Sequence, residues 1–430
     1  MSKFLNKGQL FNNNLSKEIR DKFCHLDYDP LEKTKRVFFD NAGGAIRLKQ
    51  SNDVFQVVDS YPDCAGHSNK AALKMMEIID KGINDTRIIF NAKDGVIATS
   101  LTASSMTFEI TRAIIENVPG SNVVTTVLEH PSSFDAIITV AKETGKEVRI
   151  AKANKETGGV DADEIINLVD EDTCLLSVIY ASNISGAVLD VSAIVKEARK
   201  KKVDLYIISD SVQHMPHDLV DVENLNIDAL TFAPYKFFAP RGMGLAYLSD
   251  RASKLPHNKV IADAENKWEL GSPAPSHFAA ITELVNYVSW IGSNFSNSQD
   301  RRALFAEGMK RINLHERALL YHMLEGTESN EGLRHIAGVK ILVDYDDLSK
   351  RDLIVPIKFE NLKSEDAVME YEKEGIVTFE RVNSSPYSAR MLEALGLTES
   401  VRVSPIHCHT LEDVDKFLKT TKKIASEFSK

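Results

Sequence analysis

The run Leu205-Tyr206-Ile207-Ile208-Ser209-Asp210 is apolar until its last two residues, where a hydroxyl and a carboxylate close it. It is too short for a typical helix and rich in β-branched and aromatic side chains, so it reads as a buried strand. Asp228-Ala229-Leu230-Thr231-Phe232 repeats the pattern and continues into Ala233-Pro234-Tyr235-Lys236-Phe237-Phe238-Ala239-Pro240-Arg241-Gly242-Met243-Gly244. Working outward, similar runs fall at 95–99, 122–127, 147–150, 173–180 and 244–248. Segments of helical period separate several of them, at 104–117, 133–144, 161–168 and 191–199. This alternation predicts βαβ units, a mostly parallel sheet with helices on both faces, and the α/β class. Such sheets bind ligands beyond the carboxyl ends of their strands. Thr99, Glu129, Asn183 and Asp210 each end or closely follow an apolar run and so fall at that edge.

Lys236 lies 26 residues after Asp210. A carboxylate ending a buried strand, followed by a lysine after the next run, suits a pyridoxal phosphate site. The lysine amine forms an imine with the aldehyde, and the carboxylate holds the pyridinium nitrogen. An arbitrary lysine is a solvated surface charge. The apolar neighbours of Lys236 argue otherwise, and burial would make its amine nucleophilic near neutral pH. Asp210 alone reads equally as a helix cap; Gln213, three residues on, can reach a ring hydroxylate. His214 and His217 can be polar supports, and His217 equally a turn residue. Ser100-Leu101-Thr102-Ala103-Ser104-Ser105 opens a helix, where free N–H groups suit a phosphate, though a simple cap gives the same pattern. His130, in Glu129-His130-Pro131-Ser132-Ser133, can stack on a heterocycle or belong to a capping loop. Asn183 can bind a ring hydroxyl or sit in a turn. Arg402 is either a structural ion pair or a clamp for a substrate carboxylate.

The chain has 430 residues, 43% of them apolar and 27% charged, which suits a globular protein of two domains. Its net charge of −10 argues against a nucleic-acid binder. Cys24, Cys64, Cys174 and Cys408 show no C-x-x-C spacing, so no disulfide framework is expected. No metal-binding or Walker motif is present, and no bilayer-spanning stretch or signal core is legible. Cytoplasmic location is the default expectation.

In order, Phe38-Phe39-Asp40-Asn41-Ala42-Gly43, Gly66-His67-Ser68, Ala103-Ser104, Glu129-His130, Ser182-Asn183-Ile184-Ser185-Gly186, Asp210-Ser211-Val212-Gln213, Tyr235-Lys236, Glu269-Leu270-Gly271-Ser272-Pro273 and Val401-Arg402-Val403 resemble the class V aminotransferase family. The likeness covers roughly residues 36–425 and is closest to the branch of cysteine desulfurases, selenocysteine lyases and isopenicillin-N-epimerase-like proteins. It implies pyridoxal phosphate fold type I. The large domain would hold a mostly parallel seven-stranded sheet, and the C-terminal domain would be smaller and α+β. The expected division is an N-terminal segment, 1–35, packing on the small domain, then 36–285 and 286–430. The resemblance also implies roles. Lys236 would carry the cofactor, Asp210 the ring nitrogen, Gln213 and Asn183 the ring oxygen, and His130 would stack. Ala103, Ser104 and Tyr235 would contact the cofactor, Ser272 would reach a phosphate across a homodimer interface, Arg402 would bind the substrate carboxylate, and His67 would line the substrate pocket.

Two departures bear on the reaction. Desulfurases carry a nucleophilic cysteine shortly before this arginine, but residues 382–390 hold none and Tyr387 lies near its place. The family's serine just before the lysine is missing, with Ala233 and Pro234 there instead. The expectation is therefore an amino-acid enzyme working by transamination or β-elimination at a C–S bond. Desulfurase-like and epimerase activities are the alternatives, and a catalytically silent binding protein is the non-enzyme alternative. Small-molecule substrates are expected, without nucleic acid or membrane partners.

Overall fold

The computed structural model describes residues 6–62 and 65–429. Seven strands make the larger sheet: β1 (Val96–Ser100), β2 (Asn122–Thr126), β3 (Glu147–Ala151), β4 (Thr173–Ile179), β5 (Tyr206–Asp210), β6 (Ala229–Phe232) and β7 (Gly244–Leu248). Their spatial order is β1-β7-β6-β5-β4-β2-β3. Every pairing from β3 across to β6 is parallel, and β7 runs antiparallel to both β6 and β1. The carboxyl ends of β1, β2, β4, β5 and β6 therefore share one edge.

Alternation along each strand separates two apolar layers. Val123, Leu175 and Ile208 pack with Ile110 and Ile114 of helix Ala103–Asn117 and with Ile137 and Val140 of helix Pro131–Thr144. Their neighbours Val124, Leu176 and Ile207 face the other way, against Val191, Ile194 and Val195 of helix Val191–Lys201. The helix Pro131–Thr144 is bounded as its sequence suggests: proline in its first turn, and Gly145 beyond its end at φ 69°.

A second sheet, all antiparallel, runs in the order Val339–Ile341, Val355–Phe359, Glu399–Val403, Phe379–Val382. It has its own core, which includes Val355, Ile357, Val401 and Val403. The helix Arg301–Glu325 ties the two layers together: Phe305, Met309 and Ile312 lie in the first core, Leu319, Leu320 and Met323 in the second. Helix Pro275–Ser293 runs straight through residue 285 and packs in the first core.

The polar run Asn12-Asn13-Asn14 begins a helix, Asn13–Asp21. The Asn12 side chain accepts from the Leu15 N–H at 2.9 Å, which is what an N-cap does. Leu15 and Ile19 of this helix are buried in the first core. The segment also touches helix Arg301–Glu325, through Gln9 N–H to the Leu314 carbonyl and Phe11 N–H to His315 Nδ1. Among the described residues no helix is long and apolar enough to cross a membrane.

Candidate active site

Lys236 ends a short 3-10 turn, Pro234–Lys236, that follows β6 directly. Phe238, just beyond, is held at φ 68°, a left-handed conformation that costs a non-glycine residue of order 1–3 kcal/mol. Its ring offsets that cost. It is wholly buried, edge-on to Phe23 and Phe237. The turn is thus pinned by packing, and Lys236 Nζ projects to donate to the Ala42 carbonyl at 2.5 Å. Burial, and then the Arg402 guanidinium, pushes its pKa down to about 7, while Asp40 and Asp210 pull the other way. Roughly half of the amine is therefore free near pH 7. Capture of pyridoxal phosphate by apo-protein is expected to quicken up to about pH 7 and then level off; stopped-flow rates climbing steadily toward the ordinary value of 10.5 would contradict this.

Asp210 closes β5, the strand beside β6, and is buried. Ser133 Oγ donates to its Oδ2 at 3.0 Å, and the Val212 N–H donates to Oδ1 at 3.1 Å. Both oxygens are thereby fixed. Glu129 lies nearby, wholly buried, with Oε1 accepting from the Ile179 N–H at 2.7 Å and from Thr126 Oγ1 at 2.9 Å. Burial first, then the Asp210 charge, pushes its pKa up to about 8, so it is mostly protonated at pH 7. Only one of these two buried carboxyls needs to carry charge. His130 caps helix Pro131–Thr144, accepting from the Ser132 N–H through Nδ1. That bond leaves the proton of a neutral ring on Nε2. Burial lowers its pKa against the pull of Asp210, keeping the ring neutral.

Lys236, Asp210 and His130 line one cavity of about 310 Å³. Its wall also holds Asn183 and Gln213, both buried, and neither Asn183 Oδ1 nor Gln213 Oε1 has a partner. Native interiors rarely leave such atoms unsatisfied, so a ligand is expected to meet them. At the cavity's other end is the first turn of helix Ala103–Asn117. Thr102 Oγ1 takes the Ser105 N–H, and the Thr102 carbonyl takes the Met106 N–H. The N–H groups of Ala103 and Ser104 are left for an anion. A carbonyl-binding lysine, a charged acceptor, two orphaned polar side chains and an anion cup fit pyridoxal phosphate.

Arg402 sits in the middle of the second sheet and is almost wholly buried. Its Nη2 donates to Asp40 Oδ1 at 2.6 Å and its Nη1 to the Asn183 carbonyl at 3.2 Å, while Nε has no partner. Asp40 belongs to the Phe38–Gly43 motif, whose role now becomes physical. Asp40 holds Arg402, Asn41 Nδ2 donates to the Ser404 carbonyl at 3.0 Å, and Ala42 receives Lys236. A Cβ at Gly43 would stand 2.6 Å from Asp40 Oδ2, so a side chain there would displace the carboxylate that holds Arg402. Arg381, one strand over, is a second buried guanidinium, pushed down to about 9 by burial and by Arg402.

Of the residues singled out in the sequence, Ala103, Ser104, His130, Asn183, Asp210, Gln213, Tyr235 and Lys236 line this one cavity. Ser272 lines a neighbouring cavity that shares Leu101, Gly242 and Met243 with the first. Arg402 lies close enough to act on Lys236 electrostatically. His67 is exposed on the loop before helix Lys70–Phe90 and is not part of the cavity wall. Cys64 lies outside the described residues. The sequence reading missed Asp40, Ser133 and Arg381. Asp40 and Ser133 each stood in a quoted motif, Asp40 as its acidic residue; Arg381 carried no signal.

Fold and cavity define an α/β enzyme built around a carbonyl-binding lysine with an acidic partner on the next strand. The family described as Aminotransferase class-V matches residues 37–417, and the chain belongs to it: it is a pyridoxal-phosphate-dependent enzyme. The "Probable cysteine desulfurase" of Borreliella burgdorferi is 25% identical over 439 residues, covering 95% of this chain and 97% of that protein. The "Cysteine desulfurase" of Haloferax volcanii is 30% identical over 231 residues, 50% of this chain and 53% of that one. Among solved structures, an apo cysteine desulfurase from Thermococcus onnurineus NA1 is similar in fold, with a TM-score of 0.80 at 17% identity over 96% of this chain and 98% of that one. A cysteine desulfurase from Escherichia coli has a TM-score of 0.77 at 18% identity, covering 98% and 100%.

Proposed function

We propose that the cavity holds pyridoxal phosphate against Lys236 and Asp210, and that the enzyme acts on an amino acid by transamination or by β-elimination at a C–S bond. The supporting observation is the meeting of Lys236, Asp210 and the two orphaned side chains of Asn183 and Gln213 in one cavity. When bound, the cofactor supplies an electron sink for charge left at the substrate's Cα. Asp210 meets the ring nitrogen, the amide NH2 groups of Asn183 and Gln213 donate to its oxygen, and His130 covers its face, while Tyr235 contacts the cofactor beside the lysine. Ala103 and Ser104 take the phosphate; the partner subunit's Ser272 completes that cup in a cytoplasmic homodimer. Arg402 binds the substrate carboxylate through the edge that Asp40 leaves open. Lys236, with much of its amine free near pH 7, takes the proton from Cα and returns it elsewhere.

A second reading, desulfuration through a cysteine thiol, draws on the names of the relatives. It needs a thiol at the cavity. None of Cys24, Cys174 and Cys408 lines it, and burial pushes the Cys408 thiol well above its ordinary range. Elimination without a protein nucleophile needs no such group. Holoenzyme screened against amino acids is expected to yield pyruvate and ammonia, with sulfide from sulfur substrates, or else the pyridoxamine form. If Cys64→Ala or Cys408→Ala stopped sulfide release while Lys236 stayed intact, the thiol route would replace ours.

A further inference from the structure

Two guanidiniums gather at Tyr235 with no carboxylate paired to either among the described residues. Arg241 lies over the ring, 4.1 Å from its centre, and Arg47 lies 5.9 Å away. Arg47 gives its donors to the backbone carbonyls of Ala45 and Tyr235. Burial and the Arg241 charge push its pKa down to about 10. Arg241 is exposed and lines the same cavity as Lys236, Ala103 and Ser104. An exposed cation resting on an aromatic face can swing onto a ligand without first abandoning an ion pair.

The backbone holds Arg241 at the anion end of the cavity. A Cβ at Gly244 would stand 2.2 Å from the Ala103 N, so β7 begins in direct contact with the helix's first turn and carries residues 241–243 with it. On the other side, a Cβ at Gly44 would stand 2.8 Å from Arg241 Nη2. Besides Arg241, this end of the cavity offers only neutral hydroxyl donors, from Thr102 and Ser104. Ala233 and Pro234, which precede Tyr235, offer none. The free N–H groups of Ala103 and Ser104 supply only partial charge against a phosphate dianion.

We infer that Arg241 is the counter-charge of the cofactor's phosphate, closing over it with Ala103 and Ser104 where Ala233 and Pro234 cannot contribute. The inference rests on the cofactor placement proposed above. Guanidinium matches phosphate oxygens in a two-pronged bond, and the Tyr235 face orients it.

The test compares pyridoxal phosphate with pyridoxal, which lacks the phosphate, in absorbance titrations of apo-protein. Arg241→Gln is expected to weaken pyridoxal phosphate binding by about 10- to 100-fold, with pyridoxal binding unchanged. Arg241→Lys is expected to recover much of the loss, because a point charge still binds phosphate. The inference is overturned if Arg241→Gln binds pyridoxal phosphate as wild type does, or if both ligands weaken together. Wild-type protein that takes up neither ligand would overturn the cofactor placement itself, a different failure.

Discussion

Lys236→Ala is expected to abolish turnover, by ~10³-fold or more, because it removes the covalent attachment and the proton carrier in one change. The expectation follows from placement. Nζ is the group that the turn Pro234–Lys236 delivers to the cavity beside Asp210. Burial and Arg402 bring its pKa to about 7, so at neutral pH it can both accept and return a proton. Lys236→Arg separates charge from chemistry. It keeps a cation near Asp210 but cannot be deprotonated in a protein, so it should be as inactive as alanine. Both variants should lose the near-visible absorbance of lysine-bound cofactor while retaining the wild-type melting profile within a few degrees. Turnover at the wild-type rate in either variant would sink the assignment of Lys236, whatever the cofactor content.

The part of this site legible in sequence is the part that the sheet writes locally. Asp210 ends a strand, Asn183 follows one, and Lys236 follows the next, so each announces itself by where an apolar run stops. The rest depends on residues far apart in the chain. Asp40 and Arg402 are 362 positions apart, and Ser133 and Asp210 are 77 apart. Read alone, Arg402 could be an ion pair or a clamp. In the fold it is paired with Asp40 and also acts on Lys236. Three helices also went unread. Lys49–Asp59 buries only Ser51, so it shows little apolar period, and Pro275–Ser293 is buried along most of its length, so it shows no polar face to contrast. Lys70–Phe90 buries Gly82 and Asp85 among its contacts, which breaks the stripe. Ser272 and His67 lie on loops that a single chain does not bring to the cavity wall. The roles of individual side chains came from the family likeness, since strand ends say where a ligand lies and not how it is held.

Asp210→Asn is expected to lower turnover by about 10²- to 10³-fold at saturating cofactor, the scale for removing one fixed charge from a reacting centre. The replacement keeps size and can still accept from the Val212 N–H, so it isolates charge from shape. Ser133→Ala, which removes the donor at 3.0 Å from Oδ2, should cost far less, since the Val212 bond remains. A second readout makes the prediction independent of turnover. Glu129 has its pKa raised from 4.5 to about 8 by burial and then by the Asp210 charge. A carboxyl whose folded value lies above its unfolded one binds an extra proton when folded. Its contribution to stability is therefore complete below about 4.5 and is lost as pH rises toward 8. Without the Asp210 charge that upper value falls, so the loss of stability between pH 5 and 8 should be shallower in Asp210→Asn than in wild type. Denaturation midpoints across that range measure the difference directly. If the variant kept turnover within a few-fold, the ring-nitrogen role would be wrong; if turnover fell but the two stability profiles stayed parallel, Asp210 and Glu129 would not share the buried charge that the fold assigns to them.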